Sequence, residues 1–198
     1  MFWAVIGASW FWFLGTVLLV QFPVFTKDVL LANENVANAF IATFTIGIGL
    51  GSMLTNVLLK GEVSAKYVPV AAILMTVFLI DLFFASGLVN ANLAGTTLNG
   101  MGAFFSSWSS FRVAIDLFLT AFFGGIYAVP LNAIMQTKAS PPKRSRVIAA
   151  NNVINAIFMI SATVASVFLL QVMSARGLFL CLALANAGLG AVHGFAGP

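Results

Sequence analysis

The chain has 198 residues, of which 61% are hydrophobic and only 7% are charged. A soluble domain has about 45–50% apolar and about 25% charged residues, so this composition excludes a water-facing surface and with it a soluble fold. The net charge of +4 requires no acidic partner beyond anionic lipid.

The few charged residues are spaced so that six apolar segments remain, each close to the 20 or so residues that a membrane-spanning helix requires. These segments are approximately 3–21, 36–59, 67–87, 113–136, 147–173 and 177–195. They are continuous apolar runs, without the alternation that is typical of outer-membrane strands. The sequence therefore predicts an all-α, polytopic membrane protein that forms a single domain over residues 1–198.

The first segment resembles a signal peptide only in its position. It lacks a basic amino-terminal region, and it runs into Gln21-Phe22-Pro23 without a small-residue cleavage pattern. We interpret it as a retained helix.

The second segment contains Gly47, Gly49 and Gly51. Small residues in a membrane helix let a neighbouring helix approach closely. These glycines predict either such a contact or a helix that flexes as it repacks.

The longest connection runs over residues 88–111 and is rich in Gly, Asn and Ser, which favour turns. We expect it to be extracytoplasmic, with Phe104, Phe105 and Trp108 at the level of the lipid headgroups. The connection divides the spans into three plus three, which is the arrangement of the inverted repeats in transporter halves. No internal sequence repeat accompanies it.

Two acidic residues, Asp81 and Asp116, fall inside predicted spans, and Arg112 lies four residues before Asp116. Helical residues at this spacing are neighbours. A charge at membrane depth is costly, so a partner or a polar cavity is expected. The three residues predict a structural cluster that pins helix ends, a gate or protonatable coupling site, or simple snorkelling towards the interface.

The fourth and fifth segments carry most of the intramembrane polar groups. Gly124, Gly125 and Pro130 predict that the fourth helix bends or breaks, because proline removes one backbone hydrogen bond. Amides follow at helical spacing, and these are Asn132, Gln136, Asn151, Asn152 and Asn155. Such amides seek partners on another helix or on a substrate, so interhelical bonding and the lining of a substrate cavity are both expected.

The basic residues of the short loops predict the orientation. If both termini are cytoplasmic, the inside holds six of them, namely Lys60, Lys66, Lys138, Lys143, Arg144 and Arg146. The outside then holds three, namely Lys27, Arg112 and Arg176. The positive-inside rule therefore favours cytoplasmic termini, with the loop from Lys138 to Arg146 as the main anchor. That loop lacks interleaved aromatic residues, so a nucleic-acid partner is not expected.

The sequence does not predict a catalytic site, a disulfide or a metal site. The single Cys181 and the single His193 lie in the last segment, so no disulfide and no cysteine-based metal site is predicted. No nucleophile–base pair, metal cluster or phosphate loop is recognisable, and we predict neither enzymatic activity nor a cofactor.

Several motifs together resemble one known family. The sequences GGIYAVPLNAIMQ at 124–136 and RSRVIAANNVINA at 144–156 are similar to the tenth and eleventh helices of the lysophospholipid transporter family, within the major facilitator superfamily. SWFWFLG at 9–15 with QFP at 21–23, and GIGLGS at 47–52, resemble its seventh and eighth helices. The likeness covers nearly the whole chain. It is strongest to versions fused to a downstream phospholipid acyltransferase and acyl-acyl-carrier-protein synthetase.

The resemblance implies a carboxy-terminal six-helix half of a twelve-helix transporter in the bacterial inner membrane. Such a protein would move lysophospholipid, or another amphiphile, by alternating access. The amino-terminal half would come from an upstream segment, a separate polypeptide or a symmetric partner. The chain departs from the superfamily at residues 55–62, where the usual Asp-Arg loop pairing is absent. A general proton-coupled exporter of the same superfamily and a non-transporting membrane anchor of a fused phospholipid acyltransferase are the alternatives.

Overall fold

The computed structural model describes residues 1–92 and 98–195, with side chains for all of these except 90–92 and 191–195. Its α-helices are α1 Phe2–Val24, α2 Glu34–Leu59, α3 Val68–Asn92, α4 Met101–Phe104, α5 Trp108–Lys138, α6 Arg144–Leu169 and α7 Ala175–Phe195. A π-helical segment, Phe25–Val29, continues α1, and a 3₁₀ turn, Pro141–Lys143, precedes α6. No strand occurs within the described ranges, which confirms the all-α prediction.

Five helices are long and apolar enough to cross a bilayer, namely α1 with its π-helical extension, α2, α3, α5 and α6. The last helix, α7, has 21 residues, but the part with described side chains, Ala175–Gly190, is shorter than a bilayer requires. The structure therefore supports a helical membrane protein with five candidate spans, and the sixth span stays a prediction. The side chain of His193 and residues 93–97 of the predicted extracytoplasmic loop lie outside the described residues.

Local chemistry explains where the helix ends differ from the predicted ones. The prediction began the fourth span at residue 113, but α5 begins at Trp108, because the Ser107 side chain accepts a hydrogen bond from the Ser110 backbone N–H at 3.3 Å. The first helix passes through Pro23 and widens, with the Leu30 backbone N–H bonding to the Phe25 carbonyl oxygen at 3.1 Å.

The helix α5 is the centre of the bundle. It packs along α2 and α3 and more lightly against α1, whereas α6 packs mainly on α1 and α7 mainly on α3. The fraction of each helix that is buried agrees with this packing. In the most apolar stretch of each helix, 61% of α5 is buried, compared with 22% of α2 and 17% of α6. The helices α2 and α6 therefore flank the core formed by α1, α3 and α5.

Glycines let α2 and α5 approach closely. A Cβ atom added to Gly47 would lie 2.6 Å from the Phe118 carbonyl oxygen, and one added to Gly125 would lie 2.5 Å from the Ile48 carbonyl oxygen. Gly49, in contrast, has nothing within 4 Å of the position where its Cβ would stand. The structure thus supports the close-contact interpretation for Gly47 and assigns Gly49 to an exposed face.

The connection from α1 to α2 is held against the segment that precedes α4. The backbone N–H of Asn99 bonds to the Leu31 carbonyl oxygen at 2.8 Å, and the backbone N–H of Asn33 bonds to the Asn99 carbonyl oxygen at 3.0 Å. The predicted headgroup level of Phe104 stays a prediction, but its side chain does not lie on an exposed face. Its side chain is fully buried, with its ring 5.8 Å from that of Phe40. The short helix α4 therefore folds back onto α2.

Candidate functional site

The two amides one turn apart on α6 turn towards α1. The hydroxyl of Ser9 on α1 donates to Oδ1 of Asn155 at 2.8 Å, and both side chains are buried. Asn151 is also buried, and its Oδ1 has no hydrogen-bond partner within the described residues. Hydrogen bonds between membrane helices stabilise their association. Asn155 thus makes an interhelical bond, and Asn151 offers an acceptor beside it.

The other three predicted amides are arranged differently. Nδ2 of Asn132 donates to the carbonyl oxygen of Ala128 in its own helix at 2.9 Å, and the residue is half-buried. Gln136 and Asn152 are exposed. Within the described ranges no hydrogen bond joins the amides of α5 to those of α6, and the two helices barely pack together. The five residues do not form one closed cluster, and their role in a substrate cavity stays a prediction.

An ion pair joins α3 and α5 near one end of the bundle. Nε of Arg112 donates to Oδ2 of Asp81 at 2.8 Å, and the second guanidinium nitrogen, Nη2, pairs with Oδ1. This paired geometry is the one in which an arginine binds a carboxylate most strongly. The four-residue spacing suggests Asp116 as the neighbour of Arg112. In the structure the guanidinium instead pairs with Asp81 on the adjacent helix, α3. The pair links two helices that belong to the core.

Asp116 lies deeper than the ion pair. Its side chain is 2% exposed, interacts with the carboxyl group of Asp81 and has an oxygen, Oδ2, without a hydrogen-bond partner among the described residues. One turn further along α5, the hydroxyl of Thr120 is likewise buried and unpartnered there. Across residues 1–92 and 98–195, no group of three or more His, Cys, Asp or Glu side chains could hold a metal ion. A structural cluster that pins the helices and a gate are both compatible with this arrangement of Asp81, Arg112, Asp116 and Thr120.

A polar network that the sequence patterns did not indicate joins three helices. Nε1 of Trp10 on α1 donates to Oδ1 of Asn186 on α7 at 2.9 Å. Nδ2 of Asn186 donates to the carbonyl oxygen of Ala72 at 2.8 Å and to the hydroxyl of Thr76 at 2.9 Å, both on α3. Asn186 is the one amide in its apolar run, and that isolation is the signal that could have identified it.

The predicted bending positions lie in an uninterrupted helix. The backbone of α5 stays α-helical through Pro130, so a break there is wrong, and a bend stays a prediction. Gly124 faces α1, where an added Cβ would lie 3.0 Å from a ring carbon of Phe11. Gly125 faces α2 as described above. Both glycines therefore serve close helix packing in this structure.

The basic anchor lies at the junction of α5 and α6. Its four side chains are exposed, and they are Lys138, Lys143, Arg144 and Arg146. In the part of the chain that the structure describes, the only ion pair is that of Arg112 with Asp81, so none of these cations is neutralised by a carboxylate there. Their charge is available to anionic headgroups at the membrane surface.

The flanking helices each expose two distinct faces. On α2, large apolar side chains such as Ile46 and Leu50 form one exposed face. A second face carries small and polar residues at successive turns, and we name it the α2 stripe: Asn38, Ala42, Thr45, Gly49, Ser52 and Asn56. On α6, Val153 and Ile157 belong to the apolar face. The corresponding α6 stripe consists of Ser145, Ala149, Asn152, Ala156 and Thr163, and one large apolar residue, Met159, interrupts it.

Comparisons with known proteins do not identify a relative. No family model matches the chain, and neither a curated protein nor a solved structure matches it. The resemblance to the lysophospholipid transporter family therefore stays a prediction that depends on the sequence motifs described above.

Proposed function

We propose that this chain is one half of a membrane transporter that moves a lipid-like amphiphile, lysophospholipid in the first instance, by alternating access. The observation that carries the proposal is the pair of stripes on α2 and α6. Asn and Thr side chains at successive turns are costly to expose to lipid tails, and Gly adds little apolar contact with them. Each helix also has a separate apolar face that suits contact with lipid. Small and polar stripes are typical of helix contacts and of cavity walls in membranes.

The position of the stripes favours a second helical bundle as their partner. Since consecutive spans alternate in direction, α2 and α6 run antiparallel on the two flanks of α1 and α5. On both helices the stripe is rotated in the same sense from the buried face, so antiparallel helices turn their stripes to the same side of the bundle. Two helices with small residues facing one way fit a bundle that packs across α1 and α5, as the two halves of transporters do.

The amphiphilic substrate is supported by the polarity of the remaining surface. The exposed amides of Gln136 and Asn152 offer hydrogen bonds to a polar head on the side where the basic anchor lies. Beyond them the walls are hydrocarbon, with 20 phenylalanines in the chain. The motifs at 124–136 and 144–156 point to lysophospholipid in particular. We expect the termini and the anchor to face the cytoplasm of a bacterial inner membrane.

The direct test is a flipping assay. The complete assembly is reconstituted into vesicles, and movement of a fluorescent lysophospholipid is followed by its extraction from the outer leaflet with albumin. We expect flipping well above that of protein-free vesicles, and we expect unlabelled lysophospholipid to compete. A proton-coupled exporter would instead need an imposed pH gradient and ignore the lipid competitor. A membrane anchor would leave flipping at the protein-free rate, and either result would contradict the proposal.

A matched pair of substitutions tests the polar contribution. Asn152→Leu removes an exposed amide from the α6 stripe, and Asn35→Leu removes an exposed amide at the other end of the bundle. We expect the first to slow flipping roughly tenfold, as loss of about one hydrogen bond to a charged head group would. The second should leave the rate unchanged. Equal rates for the two variants would remove Asn152 from the substrate path.

A further inference from the structure

A cavity of about 250 Å³ opens between α1, α6 and α7. Its walls include Trp10 and Phe13 from α1, Ala165 from α6, and Cys181 and Ala185 from α7. The helices α6 and α7 barely contact each other in the described part of the chain, so the cavity is open on that side. Cys181 and Ala185 are exposed at this opening.

The polar groups in the walls of the cavity already have partners. Nε1 of Trp10 is already bonded to Asn186, and the hydroxyl of Ser166, another wall residue, donates to the Ala162 carbonyl oxygen at 2.7 Å. The thiol of Cys181 is directed to the sulfur of Met173 at 3.9 Å. A buried water needs two to four polar partners, so water is not a suitable occupant.

The size and the opening indicate which apolar group fits. An apolar cavity of about 150 Å³ in another protein stays dry and accepts benzene, so a cavity of 250 Å³ holds a longer hydrocarbon segment. Because α1 and α6 are candidate membrane spans, we expect lipid tails to surround the opening. Leaving it empty would forfeit the dispersion contacts of its walls.

The walls are fixed before a ligand arrives. The ring of Trp10 stacks on that of Phe13 at a centroid distance of 5.2 Å, and its indole is held by Asn186, which is itself bonded to α3. A preformed apolar site binds without first having to order its own side chains. The cavity is therefore a preformed pocket rather than a gap between loosely packed helices.

We propose that this cavity, which we name the α1–α6–α7 cavity, binds the acyl chain of a membrane lipid. The acyl chain of the lipid enters between α6 and α7 and lies against the faces of Trp10 and Phe13. This site lies apart from the stripes of α2 and α6 and stands whether or not the protein transports lysophospholipid.

Tryptophan fluorescence tests the proposal, because brominated acyl chains quench an indole on contact. The chain has four tryptophans, and replacing Trp3, Trp12 and Trp108 by Phe leaves Trp10 as the only reporter. The protein is placed in vesicles that contain phosphatidylcholine with brominated chains. Filling the cavity by Ala165→Phe should lower the quenching of Trp10 roughly twofold or more, as expected when a preformed site is blocked.

The matched control is Ala150→Phe, which adds the same bulk to an exposed face of α6 outside the cavity and should leave the quenching unchanged. Alkylation of Cys181 provides an independent measurement if the Ala165→Phe protein does not fold. Cys181 is the single cysteine and is exposed, so N-ethylmaleimide can block the opening without a core substitution. Alkylation should lower the quenching of Trp10, and a Cys181→Ser protein should not respond.

Two results would overturn the proposal. One is quenching of Trp10 that neither Ala165→Phe nor alkylation changes, since the indole would then meet only lipids that pass along the outer surface. The other is quenching by aqueous iodide but not by brominated chains, which would mean that the cavity holds water.

Discussion

Close packing of α2 on α5 through glycine gives a sharp prediction for Gly51. A Cβ atom at this position would lie 2.7 Å from the Phe122 carbonyl carbon and 3.1 Å from its Cα atom. Carbon atoms prefer about 3.5–4.0 Å, so Gly51→Ala forces the two backbones apart locally by roughly 1 Å. Overpacking of this kind costs about 1–3 kcal/mol. Because the obstacle is backbone, no side-chain rotation can relieve it.

The matched control is Gly49→Ala, which adds the same methyl group two residues away where nothing lies within 4 Å. Both variants gain the same helix propensity, up to about 1 kcal/mol, and that gain cancels in the comparison. We therefore expect Gly51→Ala to be about 1–3 kcal/mol less stable than Gly49→Ala in equilibrium unfolding in mixed micelles. Equal unfolding free energies would refute the close contact of α2 with α5.

Three further predictions concern polar contacts between helices. A double-mutant cycle of Ser9→Ala with Asn155→Ala should give a coupling free energy of about 0.6 kcal/mol in unfolding measurements, the average for membrane helices, and a value near zero would contradict the bond. The same cycle with Asp81→Asn and Arg112→Gln should give a larger coupling, above about 1 kcal/mol, because Asp81 lies inside a candidate span where bulk water does not screen the pair. A coupling of about 1 kcal/mol or less would mean that water reaches this pair. Finally, Asn186→Ala leaves the half-buried indole N–H of Trp10 without an acceptor and should cost about 1–3 kcal/mol, whereas unchanged stability would count against the network.

The spans could be predicted because the bilayer sets their length. Hydrocarbon of fixed thickness demands about 20 apolar residues, and each charged residue that interrupts a run marks a limit. Helix ends depend on single caps instead. The cap at Ser107 moved the start of α5 by five residues from the predicted 113, and a π-helical turn continues the first helix to Val29, beyond the predicted end at residue 21. Neither effect changes hydropathy.

The rotation of each helix could not be predicted in the same way. Helices α1 and α3 are apolar all round, so their sequences do not tell which side faces the core. The spacing of Asn151 and Asn155 correctly put both on one face of α6. That this face meets Ser9, 146 residues away in the sequence, is decided by packing alone.

Partners across helices were the least predictable part of the site. The rule for neighbours four residues apart connected Arg112 to Asp116, whereas the observed partner is Asp81, 31 residues earlier. The isolation of Asn186 in an apolar run marks it as a polar group that needs a partner, but it does not indicate that the partner is Trp10. Their pairing appears only when α1, α3 and α7 are assembled.

The central claim, that a second bundle closes over the stripes of α2 and α6 to transport lysophospholipid, is tested most directly by one pair of variants. Ala156→Leu places bulk on the α6 stripe, and Ala150→Leu places the same bulk on another exposed face of α6. In the flipping assay we predict that Ala156→Leu abolishes transport of the fluorescent lysophospholipid while Ala150→Leu retains it. Undiminished flipping by Ala156→Leu, in protein that is folded and fully reconstituted, would contradict the claim.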